Sequence, residues 1–336
     1  MLEQPGLSHD AITRCMQLHF GVQIVHVEFL PLGDVDSAHY RLIANDESAY
    51  FLKLRRRGFH DISVTLPRFL HERGIAQIIA PMVARSGGVQ AKVAEFTGAL
   101  YPFVEGRNGY QVVLSPRQWT DFGRAMKRVH TLEVPAALRE QIPRETFSPQ
   151  WREAVSAYLD RRDLGDDPTA VELTAWLQRR RGAILDLVER ASHLAKTQQM
   201  RSPEFVVCHA DAHAGNVLIG RDDALYIVDW DTPILAPKER DLMYVGGAQG
   251  FVGRTAREEE MLFYRGYGPA QIDAEALAYY RCERIVEDIA VNCAQLLSGK
   301  LGDEDQAQVL RNQEANFLPN GTLEMAYRSP LNPDVR

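Results

Sequence analysis

Residues 206–231 read Val-Val-Cys-His-Ala-Asp-Ala-His-Ala-Gly-Asn-Val-Leu-Ile-Gly-Arg-Asp-Asp-Ala-Leu-Tyr-Ile-Val-Asp-Trp-Asp, the most informative stretch of the chain. His209, Asp211 and Asn216 fall within one short loop, and Asp229 ends an apolar run after a turn. Enzymes that transfer a phosphoryl group use one carboxylate to orient a hydroxyl, and an amide and a second carboxylate to hold Mg²⁺ on a nucleoside triphosphate. The order of these residues therefore predicts phosphoryl-transfer chemistry.

The spacing between Asn216 and Asp229 indicates a hairpin. A short apolar segment after Asn216 ends in Gly220, and the polar residues 221–223 follow as a turn. A return strand then places Asp229 opposite Asn216, so that both side chains reach the same cleft. A loop with a catalytic acid, followed by a hairpin that ends in a second acid, is also the arrangement of protein kinases.

The same residues admit other kinds of site. His209, Asp211 and His213 alternate along the chain, and such ligands on one side of an extended segment are typical of a metal-dependent hydrolase. Residues 229–232, Asp-Trp-Asp-Thr, are also similar to the Asp-x-Asp-x-Thr pattern of phosphatases with an aspartyl nucleophile, although the threonine comes one position early and that pattern usually follows the first strand of its fold. A loop without function is a further alternative, because short motifs of this kind are common. The apolar run into Asp229 favours a functional site, since an acid there suits a core poorly.

Composition and charge narrow the class of protein. The chain has 336 residues, 45% of them hydrophobic, and this length is typical of about two domains. The formal net charge is -7, and basic residues form no long run. We therefore expect no nucleic-acid partner, because binding to a phosphate backbone needs a concentrated basic face. A small cationic substrate is compatible with the acidic balance.

The spacing of the cysteines and the lack of long apolar runs indicate in which cellular compartment the protein works. None of the four cysteines forms a Cys-x-x-Cys pair, so we expect buried, reduced side chains. The first residues lack the basic and apolar segments of a signal peptide, and no apolar run approaches the roughly 20 residues of a membrane helix. These features predict a cytoplasmic protein without a membrane partner, which we expect to be a monomer.

Strand patterns precede helix patterns along the chain. Alternating apolar residues in the first hundred positions predict a mostly antiparallel sheet, with a helix inserted over about residues 61–73. After a linker near residues 101–110, Ser115-Pro116 combines a capping hydroxyl with a proline and so predicts a helix start. Long helices are expected at about 168–196 and 273–298.

One superfamily combines these features. The segment His209–Asn216, together with Asp229-Trp230-Asp231, resembles the Brenner-type motif of the aminoglycoside phosphotransferase and choline kinase superfamily. Within it, the chain is most similar to the spectinomycin phosphotransferases. The resemblance covers nearly the whole length, in the blocks Phe51–Leu54, Trp151–Glu153, Cys208–Gly220, Asp229–Gly247 and Tyr280–Ala290.

The resemblance implies a fold and a division into lobes. We expect an α+β, protein-kinase-like fold of two lobes. The small, antiparallel, β-rich N-terminal lobe would comprise residues 1–104 and bind the nucleotide. The larger, mainly helical C-terminal lobe would comprise residues 105–336 and hold the catalytic and substrate-binding residues.

The resemblance also assigns the central catalytic roles. Asp211 would be the catalytic carboxylate, and Asn216 and Asp229 would be the Mg²⁺ ligands. Lys53 is similar to the strand lysine that contacts the α- and β-phosphates of ATP in this fold. The alternative for Lys53 is an ordinary surface lysine on an edge strand, but it points away from the leucines on either side of it.

Two further segments would contact the nucleotide. Residues 101–106 resemble the interlobe hinge, and the backbone of Phe103 and Val104 would hydrogen-bond adenine. Residues 32–38 lie between the first two strands, where a phosphate-covering loop belongs, and Ser37 would reach phosphate oxygens. This loop has a single glycine and departs from the Gly-x-Gly-x-x-Gly pattern, so a plain hairpin turn is the alternative.

Two supporting acids are implied as well. A kinase-like enzyme pairs its strand lysine with a helix glutamate, but Asp61 and Glu72, at opposite ends of the candidate helix, do not identify one. Asp241 is similar to the buried acid that braces the catalytic loop in this superfamily, and His209 would support the same loop. The alternative for Asp241 is one charge of a solvated cluster with its neighbours.

Acidic residues near the C-terminus would bind the substrate. Glu283 and Glu287 are four residues apart and share a helix face, and Asp288 is adjacent. These carboxylates would form a wall for the amines of an aminocyclitol, or else a solvated face with neighbouring arginines. Trp230 would pack on a substrate ring or ammonium, or else belong to the core.

The motif and the resemblance together imply an ATP- and Mg²⁺-dependent phosphotransferase that phosphorylates a hydroxyl of an aminoglycoside or aminocyclitol antibiotic, with spectinomycin the leading candidate and resistance the consequence. A kinase of another small hydroxylated metabolite, such as choline, a sugar or an amino-alcohol, is the first alternative. A non-catalytic nucleotide-binding module and a metal-dependent phosphatase or hydrolase are the others.

Overall fold

The structure is a computed structural model, which describes residues 4–32, 37–56, 58–161, 164–165, 167–299 and 301–328. Residues 33–36, the centre of the loop expected to cover the phosphates, therefore lie outside the described residues. The chain forms two compact units, one of Met1–Pro143 with Asp211–Pro233 and the other of Arg144–Ala210 with Ile234–Arg336. The expected lobe boundary after residue 104 falls inside the first unit and stays a prediction.

The regular elements follow the order that the sequence predicted, strands first and helices later. The strands are β1 (Ile24–Leu30), β2 (Ser37–Ala44), β3 (Ala49–Arg55), β4 (Ala91–Val93), β5 (Phe96–Pro102), β6 (Gly106–Asn108), β7 (Val206–Cys208), β8 (Val217–Gly220), β9 (Leu225–Ile227) and β10 (Ile234–Ala236). The helices are α1 (His9–Cys15), α2 (Ile62–Glu72), α3 (Pro116–Thr131), α4 (Ala136–Arg139), α5 (Gln150–Asp160), α6 (Pro168–Arg201), α7 (Glu239–Leu242), α8 (Ala256–Tyr267), α9 (Ala274–Leu296), α10 (Asp303–Ala315) and α11 (Thr322–Arg328).

An antiparallel sheet of five strands, in the order β1-β2-β3-β5-β4, dominates the first unit. Its apolar side chains and those of α1 form one core, with Ile12, Leu42, Leu52 and Leu54 fully buried. Side chains alternate between the faces of a strand. Lys53, between two of these leucines, therefore lies on the face of the sheet opposite to this core.

A smaller three-stranded sheet, β6-β8-β9, also belongs to the first unit. Strand β6 approaches β8 so closely that a Cβ atom on Gly106 would lie 2.3 Å from the carbonyl oxygen of Ile219. The side chain of Gln118, near the start of α3, donates to the backbone oxygen (3.1 Å) and to the carboxylate (3.0 Å) of Asp223 in the turn after β8. These contacts hold the β8–β9 hairpin in place. The Asp211 loop comes just before this hairpin in the chain, and Asp229 comes just after it.

The second unit is mainly helical. The long helix α6 packs on α9, and α5 packs on both. Strands β7 and β10 form an antiparallel pair, with Val207 opposite Leu235. Ile184, Leu187 and Ile289 are fully buried in this unit.

The predicted sheet-then-helix architecture is confirmed. The helix start at Ser115-Pro116 has both hydrogen bonds of a capping box, between Ser115 and Gln118. Three short strands, β6, β7 and β10, escaped the sequence patterns, because segments of three residues are too short to show alternation. Within the described residues, no helix has the length and apolarity that a membrane crossing would require.

Candidate active site

The backbone just before Asp211 is held by a buried acid. In the second unit, Asp241 accepts the backbone N–H of His209 (2.8 Å) and that of Ala210 (2.7 Å) on its two carboxylate oxygens. The hydroxyl of Tyr244 donates to the carbonyl of Ala210 (2.8 Å). Ala210 has a φ of 71°, in the left-handed region that is costly for alanine. The hydrogen bonds therefore hold a strained peptide in place, and Asp211 follows it directly.

Asp211 and Asn216 contact each other within the first unit. The amide nitrogen of Asn216 donates to the backbone oxygen of Asp211 (2.8 Å) and to its carboxylate Oδ2 (3.2 Å). A single 3-10 turn, Ala214–Asn216, brings the two residues together. Because Nδ2 faces Asp211, the amide oxygen Oδ1 points elsewhere and is the atom that suits a cation.

His213 connects Asp211 to a residue outside the motif. Its Nδ1 accepts the backbone N–H of Gly215 (2.9 Å) and lies 2.9 Å from the hydroxyl of Tyr110, whose ring stacks on the imidazole. Since Nδ1 is an acceptor, the neutral ring carries its proton on Nε2, which lies 3.6 Å from Asp211 Oδ2. His213 therefore faces Asp211 as a donor. No sequence pattern indicated Tyr110, which lies 103 residues before His213.

The β8–β9 hairpin brings Asn216 and Asp229 to the same end of the ribbon, as expected. Val217 pairs with Ile227, and the N–H of Val228 donates to the carbonyl of Asn216 (2.9 Å). Asp229 follows with a φ of 64°, a strained conformation for a residue other than glycine. One amide oxygen and one carboxylate are hard oxygen donors of the kind that Mg²⁺ prefers, so this pair fits the metal.

Lys53 is paired with both acids of the Asp229-Trp230-Asp231 sequence. Its Nζ atom lies 2.7 Å from Asp229 Oδ1 and 2.7 Å from Asp231 Oδ1. Arg55, two residues along β3 and on the same face, donates to Asp231 Oδ2. Burial raises the pKa of Asp231, and the charge of Asp229 raises it further, whereas Lys53 and Arg55 oppose both effects.

His39 is a further neighbour of this cluster that the sequence did not indicate. It pairs with Lys53 across β2 and β3, stacks on Phe51 with ring centroids 5.3 Å apart, and its Nδ1 lies 2.9 Å from the carbonyl of Leu32. A carbonyl only accepts, so Nδ1 carries a proton. Burial lowers the pKa of His39 and the Lys53 charge adds to this effect, whereas the hydrogen bond to Leu32 and the charges of Asp229 and Asp231 oppose it.

The two segments expected to contact the nucleotide lie at the ends of strands. Phe103 follows β5, and its N–H donates to the carbonyl of Ala49 (3.0 Å), while Arg41 lies over its ring. A hydrogen bond from this segment to adenine would therefore use the Phe103 carbonyl or the backbone of Val104. Ser37 is the first residue of β2 and pairs with the last residue of β3.

The three acids expected to bind the substrate lie on α9 in the second unit, and each faces an arginine. Glu283 lies 3.6 Å from Arg152, Glu287 lies 3.7 Å from Arg240, and Asp288 accepts from Arg284 at 3.0 Å. Glu283 is buried, and this burial raises its pKa to about 7 although Arg152 opposes the shift. The side chains of Glu287 and Asp288 are more exposed.

Trp230 lies between Asp229 and Asp231 in the sequence, but its side chain is more deeply buried than either acid. Its side chain belongs to the buried core, with 5% of the residue exposed. The indole N–H donates to the carbonyl of Ile227 (3.1 Å). This contact anchors the segment that carries Asp229 and Asp231, and it leaves little of the ring for a ligand.

A protein-family model gives this geometry its context. The model described as "Phosphotransferase enzyme family" matches residues 27–284, which include nearly all of the five-stranded sheet, the Asp211 loop and about the first half of α9. The protein StrN of Streptomyces griseus is 27% identical over 282 residues, which are 79% of this chain and 84% of StrN. Both similarities extend far beyond the short motif around Asp211.

Solved structures are similar over the whole length. Spectinomycin phosphotransferase APH(9)-Ia, in complex with ADP and spectinomycin, superposes with a TM-score of 0.89 at 34% identity, covering 97% of this chain and 99% of that one. The AMP-bound complex of APH(9)-Ia gives a TM-score of 0.84 at 33% identity, covering 95% and 98%.

These similarities decide between the alternatives that the motif residues left open. The expected kinase-like fold is confirmed, and a metal-dependent hydrolase and an aspartyl-nucleophile phosphatase are not what the chain resembles. The residues 27–284 span more than half of the chain. The protein is a member of the phosphotransferase enzyme family.

Proposed function

We propose that this protein transfers the γ-phosphoryl group of ATP to a hydroxyl of an aminocyclitol, with Mg²⁺ as the metal and spectinomycin as the leading substrate. Phosphorylation of the antibiotic would confer resistance on the cell that makes the enzyme. The observation that carries the proposal lies within one unit: Lys53 contacts Asp229, the β8–β9 hairpin brings Asp229 and Asn216 to the same end of the ribbon, and Asn216 contacts Asp211.

Each member of that line has a separate task. Asp211 accepts the proton of the substrate hydroxyl, whose oxygen forms a new bond to the γ-phosphorus. The bond from that phosphorus to the β–γ bridging oxygen breaks, and its electron pair leaves with ADP. Lys53 neutralises the charge of the phosphates. Mg²⁺, held by Asn216 and Asp229, would neutralise the charge that develops between the β- and γ-phosphates.

The contacts of Asp211 prepare it for this role. Asn216 donates to Oδ2 at 3.2 Å, and the proton-bearing Nε2 of His213 faces the same oxygen. Both contacts hold the carboxylate in one orientation, and the braced peptide before it fixes its position. A base held in this way loses less entropy when it reaches the attacking hydroxyl.

The choice of substrate rests on the similar protein and on α9. The relative with 34% identity was crystallised with spectinomycin, and the similarity covers 97% of this chain. Spectinomycin carries amines, and carboxylates would bind them as ammonium ions. Glu287 and Asp288 are the better candidates for this contact, because Glu283 is buried against Arg152. Trp230, buried and bonded to Ile227, would anchor the segment that carries Asp229 and Asp231.

The test is a phosphorylation assay with a matched pair of variants. The protein is incubated with Mg-ATP and a panel of spectinomycin, other aminocyclitols, choline and sugars, and products are analysed by mass spectrometry. We expect a monophosphate adduct of spectinomycin whose rate of formation falls roughly 100- to 10,000-fold in Asp211→Asn. Asp222→Asn, which changes an exposed carboxylate in the turn of the same hairpin, should retain the activity.

Two outcomes would contradict this proposal. If Asp211→Asn retained full activity, Asp211 would not be the base. If choline or a sugar were phosphorylated and no aminocyclitol were, the protein would be a metabolite kinase on the same fold.

A further inference from the structure

Two carboxylates, those of Asp229 and Asp231, contact Lys53, but the proposed metal site uses only Asp229. The role of Asp231 is therefore open. Lys53 Nζ lies 2.7 Å from both Asp229 and Asp231, and Arg55 donates to the second oxygen of Asp231. Both oxygens of Asp231 therefore contact a cation of β3. Lys53 and Arg55 are two residues apart on one strand, so the alternation of side chains points both at the same acid.

The two acids differ in their surroundings. The side chain of Asp229 is 46% exposed, whereas that of Asp231 is 20% exposed. Asp229 is thus accessible to a metal ion from solvent. Asp231 is bracketed by Lys53 and Arg55, so a divalent cation beside it would be repelled by Arg55 as well as by the lysine that the two acids share. The same arrangement ties Asp231 to β3.

The helix that should supply a glutamate to Lys53 does not supply one. Residues 62–71 of α2 contain neither aspartate nor glutamate. At the ends of the helix, Glu72 pairs with Arg68 (2.8 Å) and Asp61 accepts from Gln90 (2.9 Å). A kinase-like enzyme needs a carboxylate to hold its strand lysine against the phosphates. In this chain that carboxylate must come from elsewhere.

We propose that Asp231 is the positioning carboxylate of Lys53, in place of a helix glutamate, and that Arg55 holds Asp231 for this task. The inference rests on the phosphotransfer function proposed above. In the proposed site Asp229 would bind Mg²⁺, although it also contacts Lys53. Asp231 keeps Lys53 paired when Asp229 faces the metal, so the lysine stays extended toward the phosphates.

The role predicts a specific pattern of nucleotide binding. Asp231 acts through Lys53, so Asp231→Asn should bind ADP about ten-fold more weakly than wild type does. When Lys53 is already replaced by methionine, adding Asp231→Asn should weaken ADP binding much less. The measurement is calorimetric titration with ADP in EDTA, without acceptor. A metal ligand has no role under these conditions. Asp231→Glu should restore most of the affinity, because it keeps the carboxylate.

Glu72→Gln is the matched control. It removes an acid at the end of α2 that pairs with Arg68 and not with Lys53. We expect its ADP affinity to equal that of wild type, and circular dichroism checks that every variant is folded. If Asp231→Asn misfolds, the comparison is made with Arg55→Gln, which should reproduce part of the loss because Arg55 holds Asp231.

Several outcomes would overturn the inference. Asp231→Asn could bind ADP in EDTA as well as wild type and instead need about ten-fold more Mg²⁺ for half-maximal activity, which would make Asp231 a metal ligand. An equal loss with and without Lys53 would show that Asp231 does not act through the lysine. A loss of ADP affinity in Glu72→Gln would show that an acid of α2, and not Asp231, positions Lys53. Since no acceptor is present, failure of spectinomycin as a substrate would leave this result intact.

Discussion

Replacing Asp241 by asparagine is expected to weaken both the folded protein and its catalysis. Asp241 is buried, and its two oxygens accept the backbone N–H groups of His209 (2.8 Å) and Ala210 (2.7 Å). In Asp241→Asn, one of these oxygens becomes an NH₂ group, which cannot accept a hydrogen bond. One of the two backbone donors then faces another donor and has no partner.

The magnitude follows from these contacts. A hydrogen bond to a charged group contributes roughly 1.5–3 kcal/mol, and a buried donor left unpaired costs about 1–3 kcal/mol. The second hydrogen bond survives, so we expect the free energy of unfolding to fall by roughly 2–4 kcal/mol. The strained φ of Ala210 would then relax. A displacement of Asp211 by about 1 Å is enough for a fall in kcat on the order of 100-fold.

Two measurements test this, urea denaturation and steady-state kinetics of spectinomycin phosphorylation. Glu259→Gln is the control, because Glu259 is a buried acid of the same unit that accepts a single backbone N–H, from Gly246 (2.9 Å). Burial raises the pKa of Glu259 to about 7, so glutamine resembles its protonated form. A wild-type kcat in Asp241→Asn, or an equal loss in both variants, would refute the argument that Asp241 braces the residue before Asp211.

Two further changes are predicted. Gly106→Ala should lower the free energy of unfolding by about 1–3 kcal/mol, because its Cβ would lie 2.3 Å from the carbonyl of Ile219. Gly88→Ala, with its nearest neighbour at 3.8 Å, should change it by less than about 0.5 kcal/mol; equal effects in thermal unfolding would contradict the steric argument. Burial raises the pKa of Glu283 to about 7 from 4.5, so the folded state binds the proton more tightly and stability falls as the pH rises between these values. Between pH 4.5 and pH 8, the free energy of unfolding should therefore decrease by about 2–3 kcal/mol more in wild type than in Glu283→Gln, as measured by urea denaturation. If the two proteins lost stability in parallel over this range, Glu283 would not be the group responsible.

Short-range features of the site were predictable from the sequence. The capping box at Ser115 and Gln118 depends on residues three apart. The hairpin between Asn216 and Asp229 depends on two apolar runs and one polar turn. In both cases the hydrogen bonds close within a few residues, so the pattern of residue types is enough to specify them.

Contacts that join distant segments were not predictable. A kinase-like fold implied a helix glutamate as the partner of Lys53, but the sequence did not identify one, and the acids at the ends of α2 pair with Arg68 and Gln90. Tyr110 approaches His213 across 103 residues, and nothing in either neighbourhood indicates the contact. The acids on α9 were expected, and so was a neighbouring arginine such as Arg284, but the arginines that face Glu283 and Glu287 come from α5 and α7.

The sequence by itself determined the order of the reacting groups, because Asp211, Asn216 and Asp229 are joined by a single turn and a hairpin, whose geometry is local. Only the tertiary structure decided which acid holds Lys53. That lysine and Asp231 are 178 residues apart, and they meet because the β3 strand and the segment after β9 belong to one folded unit. An ion pair has no sequence pattern of its own, since any acid that packing brings within reach of the lysine satisfies it.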